Sequence, residues 1–92
     1  MPFGSFIDAF PPPVFLVIHG ALALIGVMLW RKASAAGNGA AARGFILYIL
    51  GELFYLSYHL DFTTFLFAHT VAEVCDFLAV LSIGMGVLPK KA

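Results

Sequence analysis

Seven residues of this 92-residue chain could do chemistry in an otherwise apolar setting: His19, Glu52, Tyr55, His59, His69, Glu73 and Asp76. An ionisable side chain in lipid is costly, so it faces a partner or a wet cavity and marks a ligand site, an ion path or a proton relay. Imidazole and carboxylate ligands together suit zinc, copper, iron or manganese. The candidate ligands are His19, Glu52, His59, His69, Glu73 and Asp76.

The spacing places these residues on helix faces. Each helical residue advances about 100°, so Glu52 and His59, seven positions apart, lie about 20° from one another. Tyr48 and Tyr55 fall near the same stripe. His69, Glu73 and Asp76 follow i, i+4, i+7 spacing and form a second stripe. His19 stands on a third segment, with Ala23 and Gly26 continuing its face and leaving room for a neighbouring helix. Counted from a turn near residues 59–64, the histidines fall toward one membrane surface and Glu52 and Glu73 lie roughly 15 Å in. Asp76 is slightly deeper. No Lys or Arg lies at the depth of the carboxylates. Their counter-charge must come from protonated histidine, bound protons, a metal ion or another chain.

Three function classes follow. A transition-metal site comes first, with His69 and Glu73 one turn apart and the remaining ligands on two other helices. A haem or chlorophyll-type pigment is a variant, since axial ligation needs only one or two histidines, but it leaves the carboxylates unexplained. Proton or ion translocation comes second; the inner half of the third segment, from Leu78 to Leu88, offers that path only Ser82 and glycines. The third class is a structural accessory subunit of a larger membrane complex, one containing haem or pigment included. The chain holds no His-Glu-x-x-His and no Cys-x-x-Cys motif. Tyr48, Tyr55 and Tyr58 read as packing or interface residues, and the lone Cys75 as a small buried hydrophobe.

The elements that carry these residues are membrane spans. Hydrophobic residues make up 62% of the chain and charged residues 11%, with a mean hydropathy of +1.00. Soluble domains carry about 25% charged residues. So short a chain cannot bury that much apolar surface by itself, so lipid or partner subunits must cover it. The expected fold is an all-α integral membrane protein with three transmembrane helices over residues 13–30, 44–60 and 62–88. Residues 31–43, rich in Ala, Gly and Ser, read as a flexible cytoplasmic loop. The short second connection makes helices 2 and 3 an antiparallel hairpin.

Residues 1–12 read either as a short interfacial segment, with Phe3, Phe6, Ile7 and Phe10 at helical spacing, or as a loose tail with aromatic anchors. Asp8 and the lack of Lys or Arg argue against a signal peptide's basic start. All five basic residues (Arg31, Lys32, Arg43, Lys90 and Lys91) fall on one side of this topology. The positive-inside rule then places the N-terminus outside and the C-terminus in the cytoplasm of a bacterium, or the equivalent side of an organelle. The expected partners are the lipid bilayer and a homo-oligomer or larger membrane complex. A net charge of zero and the lack of a basic patch exclude nucleic acid.

Overall fold

The computed structural model describes Gly4, Ile7 and residues 9–88. Its three α-helices are α1 (Pro12–Ala35), α2 (Gly39–His59) and α3 (Phe65–Val87). Each is long and apolar enough to cross a membrane. At about 1.5 Å per residue, α2 extends about 31 Å, matching a hydrocarbon core of about 30 Å.

Local sequence explains where each helix starts and stops. Pro12 and Pro13 occupy the first turn of α1, where a missing N–H costs nothing. The helix ends in a Schellman motif: the Asn38 N–H donates to Ala33 O at 2.9 Å and the Gly37 N–H to Ser34 O at 3.0 Å. Gly37 has φ +74°, the left-handed conformation this motif requires. The Asn38 side chain then caps α2 by accepting from the Ala41 N–H at 3.1 Å.

These signals correct the expected flexible loop over residues 31–43. Helix α1 continues to Ala35 and α2 begins at Gly39, so only residues 36–38 connect them. Arg31, Lys32, Ala33, Ala35 and Ala40–Arg43 are mostly strong helix formers, and their propensity outweighs the loop-like composition. The expected span 44–60 accordingly becomes Gly39–His59, and 62–88 becomes Phe65–Val87. A second Schellman motif ends α2, with the Phe62 N–H donating to Ser57 O and the Asp61 N–H to Tyr58 O. Here Asp61, at φ 65°, takes the position that glycine usually fills.

Helix α2 is the middle element. It packs against both α1 and α3, which make no contact with each other among the described residues. The seam between α2 and α3 consists of small residues: Ala41, Gly44 and Gly51 on one side, Ala68, Ala72, Ala79 and Ser82 on the other. Small residues let two backbones approach closely, which is how helices associate where lipid removes the hydrophobic drive. A Cβ on Gly44 would come within 2.8 Å of Ala79 O. Along this seam Asn38 meets Gly86, Ala40 meets Ser82, Gly51 meets Asp76 and Tyr55 meets Glu73. Large apolar side chains such as Val17, Leu24, Met28 and Leu66 point outward. In water that surface would be an aggregation hazard, whereas in a bilayer it meets lipid.

Of the expected N-terminal segment, Phe3, Phe6 and Asp8 lie outside the described residues, as do Lys90 and Lys91 at the other end. Within it, the Phe10 N–H donates to Ile7 O at 3.1 Å, and both side chains are exposed.

Candidate functional site: a histidine–carboxylate cluster around α2

The centre of the cluster is a bond between two helices. His19 Nδ1 of α1 lies 2.5 Å from Glu52 Oε2 of α2. Glu52 is 5% exposed, the most buried ionisable group among the described residues. Which atom donates depends on the tautomer of His19: an Nδ1–H donates to the carboxylate, and a bare Nδ1 accepts from the carboxylic acid. Gly26, about two turns further along α1, brings that helix against Tyr48 and Ile49.

An aromatic column runs from this bond toward the 60–64 turn. The His19 ring stacks on Tyr55 at 5.0 Å and on His59 at 5.3 Å. His59 in turn stacks on Phe15, with centroids 5.0 Å apart and planes 3° from parallel. Tyr58 meets His59 edge-on. The two α2 residues His59 and Tyr55 thus flank a single α1 histidine.

Helix α3 brings the other carboxylates. Tyr55 Oη donates to Glu73 Oε1 at 3.3 Å, near the long limit of such a bond. His69 meets Tyr55 edge-on at 6.5 Å and stacks on Phe65 at 5.3 Å. Both His69 and Glu73 are exposed. Asp76 sits against Gly51, where an added Cβ would fall 2.7 Å from its Oδ1. That oxygen is buried and has no hydrogen-bond partner among the described residues. A buried carboxylate oxygen left without a donor is costly and calls for a proton, a cation or a water. Glu52 and Glu73 are both within electrostatic reach of Asp76.

The seven residues singled out by type and spacing therefore lie in one neighbourhood organised by α2. They are linked pairwise and by stacking, and do not converge on one point. Among the described residues no group of three or more His, Cys, Asp or Glu side chains is arranged to hold a metal ion. Two contributors carried weaker sequence signals. Phe15, one turn before His19, closes the aromatic column. Gly51, next to Glu52, makes room for Asp76. Cys75 is half-buried and a free thiol.

The opposite end of the bundle is closed by polar bonds between α2 and α3. Ser82 Oγ donates to Ala40 O at 2.6 Å, and Asn38 Nδ2 donates to Gly86 O at 2.9 Å. No family model, curated protein or solved structure matches the chain.

Proposed function

We propose that this chain is an integral membrane protein whose histidine–carboxylate cluster takes up and releases protons from the outer side. In this reading the N-terminus is outside, with residues 1–12 at the interface. Helices α2 and α3 form an antiparallel hairpin, and the C-terminus is cytoplasmic. Arg31, Lys32 and Arg43 support that orientation, because they flank the 36–38 turn at the end away from His59.

The observation that carries the reading is the buried His19–Glu52 bond, with a second histidine stacked on its outer side and the unpartnered Asp76 oxygen against the neighbouring Gly51. Chains of Asp, Glu and His are how membrane proteins move protons. A neutral imidazole accepts a proton on one nitrogen and releases it from the other, so His59 and His19 can act in series toward Glu52. Stacked rings do not hydrogen-bond face to face, so each transfer needs ring rotation or an intervening water. Toward the inner side the small-residue seam and the Ser82 and Asn38 bonds leave no such sequence of groups. Translocation across the whole membrane would require that seam to open.

A transition-metal site is the second reading, favoured by the mixed imidazole and carboxylate chemistry of the cluster. It would need a second chain or a rearrangement to bring three ligands together.

Infrared difference spectroscopy on the lipid-reconstituted protein, paired with elemental analysis, separates the two. Proton exchange predicts a carboxylic-acid carbonyl band that follows external pH and is lost in Glu52→Gln and weakened in Asp76→Asn. A band insensitive to pH, with stoichiometric metal that disappears in His19→Ala, would overturn it in favour of the metal site.

A further inference from the structure

We infer that α3 is the dimerisation helix, packing in parallel against α3 of a second copy with His69 of each chain bonded to Glu73 of the other. The argument starts from spacing. Leu66, Glu73, Val80 and Val87 recur every seventh residue, and His69 and Ile83 fall at the intermediate three-residue steps. This 3–4 alternation is the a/d pattern of a helix that packs along another helix. Asp76 completes the second series.

The a positions of that stripe and His69 are uncovered in the single chain, whereas Asp76 and Ile83 lie at its border with α2, against Gly51 and Gly44. Leu66 is 74% exposed, Val80 70% and Val87 66%, and His69 and Glu73 are exposed between them. Helix α1, the only other element that could cover it, does not touch α3. Apolar residues on such a face can rest against lipid. A histidine and a glutamate cannot do so cheaply, and within their own helix neither bonds the other. Glu73 Oε1 takes the Tyr55 hydroxyl, while Oε2 accepts nothing among the described residues.

A second copy is the occupant whose chemistry fits. Two chains inserted the same way are related by a two-fold axis along the membrane normal, so their α3 helices run parallel at equal depth. His69 of one then faces the layer next to Glu73 of the other, an axial offset of about 6 Å that the two side chains can span. The two-fold repeats the pair, so both imidazoles and both carboxylates are partnered without any basic residue. Stacking on Phe65 already orients the His69 ring, and the Tyr55 hydroxyl already orients Glu73.

Disulfide trapping tests this in the full chain, in membranes and in a Cys75→Ser background. Val80→Cys is expected to give a homodimer under mild oxidation. Met85→Cys, equally exposed but on the opposite face of α3, is expected to stay monomeric. Glu73→Gln or His69→Leu should lower the Val80→Cys yield several-fold, and the exchange His69→Glu with Glu73→His should restore it. Fluorescence energy transfer between labelled wild-type chains in vesicles reads association without any cysteine in the seam. Loss of that transfer at modest lipid dilution, equal trapping at positions 80 and 85, or trapping of Val80→Cys to a different protein would each overturn the assignment.

Discussion

Replacing His19 with Phe isolates what the buried bond contributes. Phenylalanine keeps a ring between Tyr55 and His59, so the stacking, worth about 0.5–1.5 kcal/mol per pair, is retained. What is lost is Nδ1, the hydrogen-bond partner of a carboxyl that is 5% exposed. Breaking a buried charged pair from one side costs about 3–5 kcal/mol, because the other group is left buried and unpaired. A neutral hydrogen bond between membrane helices averages only about 0.6 kcal/mol. The geometry favours the larger figure, reduced by what protonation of Glu52 recovers, so a loss of about 3 kcal/mol is expected for His19→Phe. The double variant His19→Phe with Glu52→Leu removes both partners and should return to within about 1 kcal/mol of the wild type. Reversible unfolding by detergent titration, followed by circular dichroism and by the single tryptophan, Trp30, measures all three proteins. A His19→Phe loss no larger than about 0.6 kcal/mol, or a double variant no more stable than the single one, would refute the claim that Glu52 depends on His19.

Three further outcomes test the frame around the site. Gly44→Ala should destabilise the protein by about 1–3 kcal/mol in the same titration, since its Cβ would meet Ile83 Cγ1 and, behind it, the α3 backbone at Ala79 O and Ile83 N, which cannot swing aside. Asn38→Ala removes both the α2 cap and the bond to Gly86 O, and should cost about 1–2 kcal/mol while speeding amide exchange in the first turn of α2. Asp61→Gly places a residue without a Cβ at φ 65° and should stabilise, by up to about 1 kcal/mol; a loss of stability there would show that the Asp61 side chain has another role.

Much of this architecture is legible in the one-dimensional pattern. Three apolar stretches, with Lys and Arg confined to their connections and ends, determine three helices able to cross a bilayer, because lipid leaves the backbone no other way to satisfy its polar groups without closing a barrel. Helical periodicity alone places Glu52 with His59, and His69 with Glu73 and Asp76. The boundaries were harder to read. Residues 31–43 carry both loop-like and helix-forming residues, and only the hydrogen bonds of Gly37 and Asn38 show that the break is three residues long.

What the chain by itself could not determine is which stripe meets which. Periodicity states that His19, Glu52 and Asp76 each lie on a polar face; it says nothing of the rotation of one helix against the next. That choice is made by the small-residue seam at Ala41, Gly44, Ala72 and Ala79, which sets α3 against one side of α2, and by Gly26, which sets α1 against another. Those close backbone approaches bring His19 to Glu52, leave one oxygen of Asp76 without a donor beside Gly51, and keep His69 and Glu73 at the edge of the bundle. The residue types thus determine what chemistry the cluster can do, and helix packing decides which groups share a proton and which face outward.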